Sequence, residues 1–156
     1  MHADTVASAG RRKIRVKRKI VIAVSALPLI IIMLSAQDTR SVWAGVYTEE
    51  QAKRGEALYF ERCVRCHGAT YMGGTDGAGP LLGPTFNGNW NGVPLDQMLD
   101  RVRSTMPMDK PATLSRQQTA DALAFVLSIN KIPAGKAELP RQAEMLNLIQ
   151  YRASKP

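Results

Sequence analysis

Side chains able to bind metals or carry redox chemistry are scarce in this sequence. Its 156 residues include two cysteines, Cys63 and Cys66, two histidines, His2 and His67, and only 6% aromatic residues. Any metal or redox chemistry must therefore be concentrated, and three of those four residues fall within five positions. The length leaves room for one ordinary domain and excludes an enzyme with a separate cofactor module. A composition that is 45% hydrophobic and 22% charged excludes a disordered chain. Acidic residues are also few, 13 against 21 Lys and Arg, giving a net charge of +8 and a pI near 9.9. Taken alone, that charge suggests an anionic partner. Its placement says otherwise: residues 1–36 carry seven basic groups against Asp4, a net +6, and the remaining 120 residues carry 14 against 12, only +2.

The N-terminal excess has the layout of an export signal. A basic block from Arg11 to Lys19 runs into Ile20–Ala36, seventeen uncharged and mostly aliphatic residues. This run is at the short end of what can cross a bilayer, and Pro28 interrupts it, so a cleaved signal and a retained membrane anchor over residues 20–36 are both open. Cleavage is expected after Ala36 or after Ala44, where Val42 and Ala44 suit the small-residue requirement better. The Arg11-Arg12 pair is read as plain n-region charge.

From Thr48 the pattern becomes helical. Thr48 and Gln51 have capping-box spacing, and Ala52, Gly55, Tyr59 and Cys63 share one face, predicting a helix to about Arg62. An inward glycine in a helix costs roughly 1 kcal/mol against alanine unless another backbone packs on it, so Gly55 predicts a helix crossing. A shorter helix is expected over Pro94–Arg103, with Pro94 as its first residue. Another is expected from Ser115, capped through Gln118, to about Asn130, and a weak one around Arg141–Tyr151. Between Gly68 and Gly92 lie eight of the twelve glycines with neither helical nor strand period. So long a loop needs something functional to organise it. Three or so helices without strands also offer few side chains for a core, a shortage that a large apolar cofactor would fill.

Cys63-Val64-Arg65-Cys66-His67 is C-x-x-C-H, the attachment pattern of c-type haem. Two thiols three apart at a helix end can form thioethers with the haem vinyl groups, and the adjacent histidine can reach the iron. Such attachment takes place outside the cytoplasm, in agreement with the export signal. A zinc site lacks a second ligand pair. A thiol-disulfide oxidoreductase needs strands around its C-x-x-C. A structural disulfide leaves the histidine and the glycine-rich loop without a reason. His67 is the only histidine after the signal, which excludes bis-histidine ligation within the chain, leaving methionine, a weak ligand or an open site. Met98 belongs to a predicted helix, Met72 is too near His67 to reach the opposite face of the ring, and Met145 lies in the tail. The stretch Ser104-Thr105-Met106-Pro107-Met108 remains, with Met106 preferred and Met108 in reserve.

These features together resemble the class I c-type cytochromes, of the small bacterial kind associated with quinohaemoprotein dehydrogenases. The resemblance covers about Val42 to Leu139 and rests on Gly55, Tyr59, Cys63 to His67, Gly79-Pro80-Leu81-Leu82-Gly83, Met106-Pro107 and Leu123 to Leu127. It implies an all-α cytochrome c-like domain of three to four helices packed around one covalently bound haem, over residues 45–139, with a C-terminal extension over 140–156. It also implies haem c as cofactor, Met106 as distal ligand, the Pro80 carbonyl accepting from the ring of His67, and Leu82 packing on the porphyrin. By approximate position, Trp90 would serve a haem propionate. The family's beginning at Val42 or earlier favours cleavage after Ala36. The function implied is outer-sphere electron transfer in the periplasm, without substrate turnover, between a donor such as a quinoprotein dehydrogenase and an oxidase or another cytochrome. The rival readings are a haem enzyme or a gas or peroxide sensor with a displaceable distal ligand, and a subunit permanently docked on a dehydrogenase. Two propionates would bring about −2 to the exported part, leaving nucleic-acid binding no charge to rest on.

Overall fold

The computed structural model describes residues 39–74 and 77–156, so the expected signal or anchor over 1–36 lies outside the described residues. The described part begins with a two-residue strand, β1 (Arg40–Ser41), and a single 3-10 turn over Val42–Ala44. Six helices follow among the described residues: α1 (Glu49–Arg62), α2 (Val64–His67), α3 (Gly83–Trp90), α4 (Leu95–Thr105), α5 (Arg116–Ile129) and α6 (Ala143–Leu146). A second short strand, β2 (Ile149–Gln150), pairs in parallel with β1, Arg40 facing Ile149. Among the described residues no helix is long and apolar enough to cross a membrane.

The helix ends follow from local chemistry. Thr48 accepts from the Gln51 amide at 3.1 Å, and Ser115 and Gln118 form the full reciprocal box. The first box is only half made. Gln51 is fully buried and turns its side-chain amide to Leu139 instead, donating to its carbonyl at 3.1 Å and accepting from its N–H at 2.6 Å. Pro94 is the residue before the first turn of α4 rather than its first helical residue. In the glycine-rich stretch, where no helix was expected, Gly83–Trp90 is helical, with Pro84 in its first turn, Phe86 buried and Trp90 packed beside it. Its glycines lower helix propensity, and packing of Phe86 against Tyr151 overrides them.

The main helix pair is α1 against α5, and Gly55 marks their crossing as predicted: a Cβ there would lie 1.9 Å from the Asp121 carbonyl oxygen. Beside the crossing, Arg54 donates to both carboxylate oxygens of Asp121, at 3.1 and 3.0 Å, and to Glu138 at 2.7 Å. The core corrects two expectations. The segment 140–156 is not an extension, because Leu146, Ile149 and Tyr151 are buried with Leu95, Leu99 and Leu127. Nor does the folded part begin at residue 45, since Val42 is completely buried in the same cluster. The absence of strands also fails in a small way, because the β1–β2 ladder joins the two ends of this unit.

Tyr151 carries a pH dependence. It is 1% exposed, donates to Asn87 at 2.6 Å, and burial pushes its phenol up to about 12. Burial followed by the Glu49 charge raises Tyr47 in the same sense. Below pH 10 folded and unfolded chains both hold these protons. Above it the unfolded chain loses the Tyr151 proton first, so stability falls by about 1.4 kcal/mol per pH unit from about pH 10 to 12. Denaturant titrations across that window should show the slope, and Tyr151→Phe should remove its share.

Candidate functional site

The C-terminal end of α1 organises the site. Cys63 ends α1 and starts α2: its N–H donates to the Tyr59 carbonyl at 2.8 Å, and its carbonyl accepts from Cys66 and His67 at 3.1 and 3.0 Å. One helical turn thus presents two thiols and an imidazole. Tyr59 closes the turn by donating its hydroxyl to the Gly68 carbonyl at 2.5 Å, with its ring against Tyr71 and Phe125.

The loop after His67 folds back on this turn. Gly73 donates to the His67 carbonyl, Leu81 donates to Tyr71, and the Asn130 side chain at the end of α5 holds the Leu81 carbonyl at 2.8 Å. Gly74 lies so close that a Cβ would meet the Cys66 carbonyl oxygen at 2.3 Å, which explains a glycine there. The loop brings the Gly79 carbonyl to 2.9 Å from His67 Nδ1. A carbonyl only accepts, so Nδ1 carries the proton and Nε2 keeps its lone pair free for a metal. The expected acceptor was Pro80, one residue later. A proline holds the residue before it in extended backbone, so the carbonyl fixed in place is that of Gly79.

These elements enclose a cavity of about 580 Å³. Cys63, Cys66, His67, Met106 and Met108 all line it, with apolar walls from Leu81, Val102, Leu114, Leu123, Phe125 and Val126. Met72, Met98 and Met145 do not; Met98 is core, and the other two are exposed. Met106 is half-buried where α4 ends, whereas Met108 is 67% exposed. Two further expectations are corrected. Leu81 rather than Leu82 faces the cavity, as neighbours in an extended segment point to opposite sides. Trp90 does not reach it; Trp90 lies tilted beside Phe86 and lines a second cavity against α4, which shares only Arg101 with the first.

The donor set fits haem c. Both thiols are free, and burial, more than the neighbouring Cys66, pushes Cys63 up to about 11. That is the opposite of the lowered thiol of a disulfide oxidoreductase. Among the described residues no three His, Cys, Asp or Glu side chains gather as a metal-binding set. Two thiols, an oriented imidazole, a thioether sulfur and apolar walls in one cavity suit an iron porphyrin.

The fold is that of a small all-α cytochrome c-like domain. Comparison with known proteins agrees: residues 50–126 match the family described as cytochrome c oxidase, cbb3-type, subunit III. Over 89 residues the chain is 34% identical to thiosulfate dehydrogenase of Allochromatium vinosum, a match covering 51% of this chain and 32% of that protein. These matches are consistent with a class I c-type cytochrome domain. The chain spans about a third of the length of the dehydrogenase. No solved structure matches it.

Proposed function

We propose that the protein is an exported monohaem electron carrier whose iron is held by His67 and Met106. The observation that carries this is the shared cavity, into which one α-helical turn delivers Cys63, Cys66 and His67 and the end of α4 delivers Met106. Haem c, when bound, supplies one-electron exchange at iron. The chain's residues do the rest. Cys63 and Cys66 anchor the macrocycle, and the Gly79 carbonyl orients His67 and raises its basicity. Met106 would hold the iron through its thioether sulfur, a donor that favours the reduced state. Leu81, Leu123 and Phe125 exclude water. With its one histidine in the described part given to iron, the site keeps no imidazole for acid–base chemistry, which fits electron transfer without turnover of a substrate of its own.

Export fits the basic block and apolar run before residue 37 and the extracytoplasmic chemistry of haem attachment. Cleavage after Ala36 spares β1 and the buried Val42, both of which cleavage after Ala44 would remove. The donor is a periplasmic dehydrogenase and the acceptor an oxidase or another cytochrome, each met through a transient interface. Intact mass of the purified protein under denaturing acid tests these points together. The result expected is a chain beginning at Gln37 and carrying one haem; a chain without the adduct would refute covalent haem.

A further inference from the structure

We propose that Asn130, at the end of α5, is a positioning residue for the electron-transfer site: by holding the Leu81 carbonyl it keeps the Gly79 carbonyl on His67, and so sets how strongly that histidine donates to iron. This deepens the electron-carrier reading and rests on His67 as a haem ligand.

Packing does little to hold the loop that carries Gly79. Among the described residues, a Cβ added at Gly77, Gly79 or Gly83 would meet nothing within 4 Å. Hydrogen bonds fix the path instead, and they converge on Leu81. Its N–H donates to the Tyr71 carbonyl at 2.7 Å, and its carbonyl accepts from Asn130 Nδ2 at 2.8 Å. The first of these bonds stays within the loop; the second ties the loop to α5, forty-nine residues further on. Leu81 is two residues from Gly79, whose carbonyl lies 2.9 Å from His67 Nδ1, and its own side chain lines the cavity. Releasing the Leu81 carbonyl therefore loosens both the acceptor for His67 and one cavity wall.

The helix end does not itself require asparagine. That residue is favoured after a helix where the chain turns left-handed, but Asn130 has φ −82° and ψ 12°, and the left-handed residue is Lys131 at φ 62°. The Asn130 amide is committed elsewhere. It also donates to the Val126 carbonyl at 2.8 Å, one turn back in α5. Two carbonyls only accept, so the group that faces both is the NH2, and one bond to the helix aims the other at the loop.

An Nδ1–H donated to a fixed carbonyl makes the other ring nitrogen a stronger donor, which favours the oxidised state. Loss of that bond should move the balance toward the reduced state. The test joins NMR hydrogen exchange of the His67 Nδ1–H in the ferrous holoprotein to a redox titration. Asn130→Leu keeps the side-chain volume and removes both donors. Exchange should quicken about fivefold to tenfold. At the potential where the native protein is half reduced, the ferrous-to-ferric ratio should rise about threefold or more. Ser128→Ala is the matched control: it removes a 2.7 Å bond to the Phe125 carbonyl in the same last turn of α5, makes no change at the loop, and should alter neither reading. If Asn130→Leu yields no holoprotein, Asn130→Ser, too short to reach Leu81 from this half-buried position, carries the same two expectations. A variant that melts earlier yet keeps the native exchange and the native ratio makes Asn130 a helix cap and overturns the proposal, as do equal changes in Ser128→Ala. Both results leave the electron carrier standing. A native holoprotein with no Nδ1–H resonance from an iron-bound histidine overturns ligation by His67, and both readings with it.

Discussion

Gly55→Ala should yield no folded protein. The added Cβ would lie 1.9 Å from the Asp121 carbonyl oxygen and 2.8 Å from Phe125 Cβ. The first of these is helix backbone, which no rotamer change can move aside. Relief requires α1 and α5 to separate, and with them the Arg54–Asp121 pair and the stack of Tyr59 on Phe125. Overpacking of this kind costs about 1–3 kcal/mol where side chains can give, and more where backbone must, against a total stability of roughly 5–15 kcal/mol. Alanine's better helix propensity, about 1 kcal/mol, does not offset that. Gly88→Ala is the matching control: Gly88 lies inside α3, where an added Cβ meets nothing within 4 Å. It should raise stability by about 0.5–1 kcal/mol. Yield of haem-bearing protein and the thermal midpoint measure both.

Replacing both Cys63 and Cys66 by alanine should abolish covalent haem and most of the fixed tertiary structure with it. The cavity they border measures about 580 Å³, and at the cost per volume of cavities left in protein cores it would be worth about 14 kcal/mol, as large as the stability of a whole domain. Because it opens to solvent the actual loss is a fraction of this, still enough to leave Leu123, Phe125 and Val126 without a partner on one side. The double variant should keep far-UV helical signal, lose near-UV signal and melt without a cooperative transition. A cooperative melt equal to that of the haem-bearing protein would show that the cavity walls support themselves.

The parts of this protein legible in its sequence are those set by local chemistry. Helices α1, α4 and α5 are found within two residues of their expected ends, because an amphipathic face specifies each one and a side-chain cap starts α1 and α5. Gly55 announced a crossing because nothing but a close backbone justifies an inward glycine. Cys63, Cys66, His67 and Met106 were read as one set, and the structure brings all four, with Met108, to one cavity. The misreadings lie where tertiary contacts decide. Helix α3 is glycine-rich and becomes helical through Phe86 packing on Tyr151, sixty-five residues away. The tail, expected as a weak helix around Arg141–Tyr151, is helical only over Ala143–Leu146, and Ile149 and Gln150 instead pair as a strand with Arg40 and Ser41. Gly79 and Leu81 differ from the expected Pro80 and Leu82 by one residue each, since motif spacing places a loop but not which carbonyl or side chain turns inward. The cavity-facing side of α5 was hidden because Leu123, Phe125 and Val126 widen an apolar face already expected for the core.

The ferric absorption spectrum tests the central claim most directly. Iron–methionine coordination gives a weak charge-transfer band in the far red. That band should be present in the native protein, lost in Met106→Ala and retained in Met108→Ala. A band that survives Met106→Ala and vanishes in Met108→Ala would move the ligand to Met108, and a native protein without the band would contradict His/Met ligation and the electron-carrier function built on it.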